Sequence, residues 1–192
     1  MNKSMYVFNE DISLDVGKES IEIFHLVYNK SISVNINLND ETSKVVYRLS
    51  VINKDSNKCL ININHNKSKT ESLVICHGVN VLDKKLEFNV TGKVPNSSFK
   101  CICNQDNQII NLSDGESVIK PNLLIRNYDT VSNHSAYIGT FKESSLFYLM
   151  SRGISKSKAK EMLIETLLLG DFNENLQIVK DFYKLLKEVN HG

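Results

Sequence analysis

The chain has 192 residues, of which 41% are hydrophobic and 23% charged, a balance that excludes general disorder and suits one substantial domain with an appendage. Its 23 Lys and Arg against 22 Asp and Glu leave a formal charge of +1, so no long-range field draws the whole protein to nucleic acid or to an acidic membrane. No apolar run approaches the roughly 20 residues of a bilayer span, and the opening MNKSMYVFNEDISLDVGKES carries no apolar signal region, so a cytoplasmic protein is expected.

From Met5 to about Gly139 the pattern alternates with a period of two. In SISVNINL, Ile32, Val34, Ile36 and Leu38 fall on one strand face and Ser33, Asn35 and Asn37 on the other, which describes a half-buried strand. KVVYRLSVI, CLININH, ESLVICHGV, KLEFNVTGKV, FKCICN and SVIKPNLLIR repeat the pattern, each bounded by Asn, Asp, Ser, Gly or Lys clusters. Many short strands at such spacing describe a sandwich, a barrel or a β-solenoid, and periodicity alone does not choose among them. The abundance of Asn near strand ends leans toward the solenoid, because asparagine tolerates left-handed corners and stacks in ladders. With only eight Gly and two Pro, the corners are expected to rest on Asn, Asp and Ser.

After Thr140 the period becomes helical, which divides the chain into a β core over 1–140 and a helical segment over 141–192. ESSLFYLMSRG reads as a short helix stopped by Gly153. Ala159, Met162, Leu163, Thr166 and Leu167 form the stripe of a second helix, with Ser155 as N-cap and Gly170 as terminator. A further amphipathic helix carries Leu176, Val179, Phe182, Tyr183, Leu186 and Val189. The tail is expected to be a compact helical cap, lying on one end of the β domain, or a docking element, with balanced charge that disfavours a membrane role.

Few residues suggest chemistry on their own. Cys101 and Cys103 share a strand face, yet two thiols without further partners make an incomplete metal site, and free cysteine packs as a small hydrophobe. Cys76 and His77 are adjacent and so face opposite sides of a strand. With Cys59 the cysteines number four, none in C-x-x-C spacing, and no disulfide framework is expected in a reducing compartment. His25, His65 and His191 lack partner spacing and are expected to be ordinary exposed or half-buried histidines. No Walker A, G-x-S-x-G or H-E-x-x-H sequence occurs, so no nucleotide or hydrolase site is indicated.

The segment KPNLLIRNYDTVSNHSAYIGTFKESSLFYLMSRGIS resembles the C-terminal core of the SufB/SufD family of iron–sulfur cluster assembly scaffold proteins. There a proline-led strand precedes a polar segment with histidine, an Ile-Gly or Val-Gly pair, and a helix close to LFYLxSRGI; Lys120, Pro121, His134, Ala136, Gly139, Leu146 to Leu149 and Ser151 to Ile154 fit. A weaker likeness runs through HNKSKTESLVICHGVNVLDKKLEFNVTGKVP, and together they cover about residues 30 to 190. The resemblance implies a right-handed parallel β-helix with a C-terminal α-helical segment. It further implies a non-enzymatic subunit of a SUF scaffold complex with a SufC-like ABC ATPase and a second, SufB-like or identical, β-helix subunit. By carry-over, His134 is the candidate iron or cluster ligand at the subunit interface, the iron or cluster being held transiently and only in the complex. Leu146, Phe147, Tyr148, Arg152, Gly153 and Ile154 are the candidate ATPase-docking residues.

Two positions depart from the pattern. Gly115 stands where SufB-like members carry a cysteine six residues before the proline, and Ser132 stands where SufD-like members often carry one two residues before the histidine. The chain reads as a short, SufD-like member, with a structural partner lacking cluster chemistry as the alternative. A polysaccharide-processing β-helix enzyme is disfavoured by the absence of a suitably placed acidic cluster.

Overall fold

The structure, a computed structural model, describes residues 3–170, 172 and 176–189. Eleven strands alternate between two sheets as the chain advances. The six-stranded sheet holds β1 (Lys3–Phe8), β3 (Ser20–Tyr28), β5 (Lys44–Asn53), β7 (Glu71–Asn80), β9 (Cys101–Asn111) and β11 (Thr130–Gly139) in that order. The five-stranded sheet holds β2 (Ile12–Val16), β4 (Ile32–Leu38), β6 (Asn57–His65), β8 (Leu86–Val94) and β10 (Ser117–Ile125). Every pairing is parallel, each strand bonding to the one two steps on in sequence. That connectivity makes a right-handed parallel β-helix, the architecture implied by the family resemblance and left open by periodicity.

The alternation builds the lumen directly. Ile23 pairs with Tyr47 and Tyr47 with Val74, while Val34 pairs with Ile61 and Ile61 with Val90, so apolar residues stack coil on coil. All six are buried in one cluster with Ile36, Ile63, Leu86 and Phe88. The opposite face of the five-stranded sheet carries amide ladders: Asn37 donates to Asp15 (2.8 Å), Asn64 to Asn37 (2.8 Å) and Asn122 to Asn89 (3.0 Å). Side chains from successive coils satisfy one another, in register for Asp15, Asn37 and Asn64 and diagonally for Asn122 and Asn89, as the Asn content suggested. At the corners, Asn9 and Asn29 adopt positive φ and accept the backbone N–H of Tyr28 and Lys54 in the next coil. Thr42, Lys69 and Lys100 are also left-handed, so the corners do not rest on Asn, Asp and Ser alone. Lys69 and Lys100 occupy stacked turns whose backbone bonds, Lys69 N to Phe99 O and Lys100 N to Asp129 O, offset the strain.

Three helices follow, α1 (Glu143–Ser151), α2 (Lys156–Leu169) and α3 (Gln177–Val189). Ser155 caps α2 by accepting the Lys158 N–H, and Gly170 ends it in a right-handed conformation. The tail does not cap an end of the solenoid, as expected from sequence. Instead α2 and α3 lie on the outer flank of the six-stranded sheet, where Leu26, Ile52 and Val79 meet Ile164, Leu168, Val179, Phe182 and Leu186. Polar groups on that flank fasten the end of α2: the Ser50 hydroxyl donates to Leu168 O (2.6 Å), and His77 Nδ1 lies 2.9 Å from Leu167 O. The stripe expected on α2 is also displaced. Ala159, Ile164, Leu168 and Leu169 are buried, whereas Met162 and Thr166 are exposed. MLIETLLL carries apolar residues around most of the helix, so packing against the sheet and α3 selects the face.

Candidate functional site

Strands β10 and β11 are the free edges of their sheets at the same end of the solenoid. Register fixes which of their side chains face the lumen. Thr130, Ser132, His134, Ala136 and Ile138 stack on Cys101, Cys103, Gln105, Asn107 and Ile109 of β9. Ile119, Pro121, Leu123 and Ile125 stack on Phe88, Val90, Gly92 and Val94 of β8. In earlier coils such residues are covered by the coil that follows. Here none of the described residues lies above them, and His134 and Ile138 are exposed although they point inward.

His134 therefore sits on the lumen side of an open terminal coil, flanked by Ser132 and Ala136 on its own face. Its imidazole makes no hydrogen bond to the described residues. A neutral imidazole so placed has a lone pair available to a borderline metal ion, with vacant coordination positions facing whatever covers the coil. The outward side of the same coil mixes exposed apolar residues with polar ones: Val131 is 61% exposed and Leu124, Tyr128 and Tyr137 are exposed as well, among Lys120, Asn133 and Ser135. Sequence reading did not single out these four, because strand alternation alone does not say which coil is left uncovered.

The six candidate docking residues divide by structural duty. None of the residues of α1 is buried. Phe147 is 74% exposed and Tyr148 59%, while Leu146 and Ile154 are half-buried. The Arg152 guanidinium lies 5.4 Å from the centroid of the Tyr148 ring. Gly153 takes φ +83°, its N–H bonds Met150 O and the Ile154 N–H bonds Leu149 O, the paired closure of a Schellman end. Gly153 and Ile154 thus have a local task in ending the helix and the Tyr148 ring pairs with Arg152, whereas the Phe147 ring is largely exposed.

The remaining thiols and histidines are interior groups. All four cysteines are free and buried. Burial pushes the Cys59 thiol up to about 12 and raises those of Cys76 and Cys103, which disfavours thiolate at neutral pH. His25 and His65 are fully buried, contrary to the expectation of exposed or half-buried rings. His25 Nδ1 meets the Tyr47 hydroxyl at 2.8 Å, and His65 bridges Thr70 (2.8 Å) and Ser72 (2.9 Å). Burial lowers both to about 4. Inward strand positions and small hydroxyl partners account for their placement, and His191 lies outside the described residues. Cys76 points into the lumen and His77 to the flank, as alternation required.

Among the described residues no group of three or more His, Cys, Asp and Glu is arranged to hold a metal ion. Gly115 adds a steric reason for a missing thiol. A Cβ there would lie 2.5 Å from Leu82 O, 2.6 Å from Asn80 Nδ2 and 2.8 Å from Lys84 O. Ser132, by contrast, stacks directly on buried Cys103. No described helix is long and apolar enough to cross a membrane.

Comparison with known proteins gives two matches. The family model described as SUF system FeS cluster assembly, SufBD core domain, matches residues 20–167. The iron-sulfur cluster assembly protein SufD of Bacillus subtilis (strain 168) is 32% identical over 111 residues, an alignment covering 57% of this chain and 25% of that protein. The chain thus matches about a quarter of the length of that relative.

Proposed function

The chain belongs to the SufB/SufD core family of the SUF system of iron–sulfur cluster assembly, and we propose that it serves there as a non-enzymatic, cytoplasmic scaffold subunit. In this reading the open last coil pairs with a second β-helix subunit, SufB-like or identical. His134 contributes one ligand to iron or nascent cluster, which is cargo completed by the partner's groups. The exposed face of α1, centred on Phe147 and Tyr148, engages a SufC-like ABC ATPase, and the helical segment from residue 141 onward is the docking unit.

The observation that carries this reading is an inward-facing, exposed His134 on an uncovered edge coil that also exposes Leu124, Tyr128, Val131 and Tyr137. An unpaired edge strand of ten residues is a template for another chain, and such pairing would bury the exposed apolar side chains beside it. A second reading, a structural partner without cluster chemistry, is favoured by Gly115 and by the absence of any clustered ligand set among the described residues.

The test is co-purification with a SufC-like ATPase and a longer SufB-like chain, followed by iron and sulfide analysis of the wild-type complex and of His134→Ala. The ligand reading expects iron to fall while association holds, since a ligand removed from a wet interface takes little packing area with it. Weakened assembly with unchanged iron leaves the structural partner standing. No change in either quantity removes His134 from the site.

A further inference from the structure

Beneath His134 lies a buried polar group whose hydrogen bonding is incomplete. Gln105 of β9 is 4% exposed, faces the lumen, and is the in-register neighbour of His134. Its Nε2 donates to Asn122 O on β10 at 3.1 Å, so the side chain crosses the lumen from one sheet to the other. That bond settles which end of the amide is nitrogen, because only the NH2 group can donate to a backbone carbonyl. The opposite end, Oε1, is buried and has no hydrogen-bond partner. A buried acceptor left unpaired costs about 1–3 kcal/mol, so the arrangement calls for a donor.

Gly92 lies beside the amide in the neighbouring sheet. A Cβ at Gly92 would collide with Cys103 Sγ and lie 3.5 Å from Gln105 Nε2. Adjacent strands are about 4.8 Å apart, which places the His134 ring within reach of the Gln105 amide on the same face. An exposed histidine reorients between staggered rotamers at little cost. Asn107, two residues on, also has an orphaned buried oxygen, with its Nδ2 donating to Ser135 O at 3.3 Å. It stacks under Ala136, which has no donor to offer.

We propose that Gln105 is the positioning residue of His134: Oε1 accepts one imidazole N–H, fixing the tautomer and turning the other, unprotonated nitrogen toward the open end of the coil. The inference rests on the reading of His134 as a ligand, which it deepens by naming the residue that aims it. Metal-bound histidines ordinarily donate their second N–H to a carbonyl or carboxylate, and loss of that partner typically costs about 10–100-fold in metal affinity.

The contact is tested without metal in histidine-labelled full-length protein, by long-range proton–nitrogen spectra recorded about two pH units above the ordinary histidine value. His134 is expected to show one dominant tautomer. Gln105→Met, which keeps length and bulk but removes the acceptor, should return it to the tautomer mixture of free imidazole. Asn107→Ala should leave it unchanged. A free-imidazole mixture in the wild-type protein overturns the proposal whether or not Gln105→Met folds, as does a tautomer that survives Gln105→Met. In the assembled subunit pair, Co2+ as probe should bind about ten-fold more weakly to the Gln105→Met protein. A locked tautomer with no Co2+ affinity even in the wild-type pair upholds the positioning contact and removes the ligand reading instead.

Discussion

The middle coils and the last coil follow one sequence rule and end in opposite states. In β6 the inward positions Cys59, Ile61, Ile63 and His65 are all buried, and the same alternation in β11 leaves His134, Ala136 and Ile138 exposed. Both strands pair in parallel in one solenoid, but β11 turns Thr130, Ser132, His134 and Ala136 inward where β6 turns mostly apolar residues, and among the described residues no coil stacks above it. Burial in a solenoid is conferred by neighbours, so the terminal coil exposes groups of the kind the interior hides, and a reactive side chain becomes available there. The helices repeat the contrast: α2 and α3 bury their apolar residues on the sheet flank, while α1 buries none.

The sharpest way to break the comparison is to remove bulk at each level. Phe88 is fully buried and packs where a Cβ on Gly78 would lie, 2.7 Å from its ring, so Phe88→Ala should cost about 3–5 kcal/mol by urea denaturation. Ile138→Ala, on the same lumen side but 43% exposed, should cost under about 1 kcal/mol in the isolated chain. Comparable losses would mean that the last coil is covered in solution.

Acid should separate the regions next. His25 and His65 titrate near 4 in the folded chain against 6.5 unfolded, burial being the chief cause for both, with Asp11 opposing it at His25 and the Thr70 bond opposing it at His65. Their folded values are depressed, so the stability they confer is fully present above pH 6.5. It is lost as pH falls toward 4, where the unfolded chain binds protons that the folded chain does not. Each contributes up to about 3 kcal/mol over that window. Urea midpoints measured across the window should fall steeply in the parent and less steeply in His65→Gln. A flat profile would contradict the buried, neutral assignment.

A smaller loss is expected at the turn that excludes a side chain: Gly115→Ala should destabilise by about 1–3 kcal/mol, since two backbone carbonyls and the Asn80 amide must give way. A neutral result by thermal denaturation would show that the turn relaxes and that a thiol could be housed there. The least effect on stability belongs to α1, where Phe147→Asp should change it by no more than about 0.5 kcal/mol yet abolish capture of a SufC-like ATPase. Retained capture would remove α1 from the proposed docking surface. Deleting residues 155–192 is a poorer test, because it would also uncover Leu26, Ile52 and Val79 on the flank.

Much of the candidate site was legible at the level of residues and little of it at the level of exposure. Resemblance pointed to His134 and to the run from Leu146 to Ile154, and the closure of α1 by Gly153 followed from its position after an apolar helix. Gln105 gave no signal, since an isolated glutamine in a strand carries no motif and its significance depends on Asn122 and His134 in other strands. His25 and His65 were misjudged for a related reason. Tyr47 reaches His25 from the coil stacked on it, while Thr70 and Ser72 meet His65 across the corner that joins β6 to β7; unpaired, such rings would remain at the surface.

By itself the sequence determined the parts that depend on local chemistry. Period-two alternation made strands with one apolar face, Asn supplied ladders and some left-handed corners, and the change of period after Gly139 made helices capped by Ser155 and closed by Gly153. Family likeness then selected the solenoid among folds that share such strands. Tertiary structure alone decided which face of α2 is buried, that the tail lies on the flank of the six-stranded sheet and not over an end, and that His134 points inward yet remains exposed. The reason is that side-chain direction follows from backbone geometry within a few residues, whereas burial is a property of what stacks against a residue, supplied by segments some 20 to 30 positions away or by no segment at all.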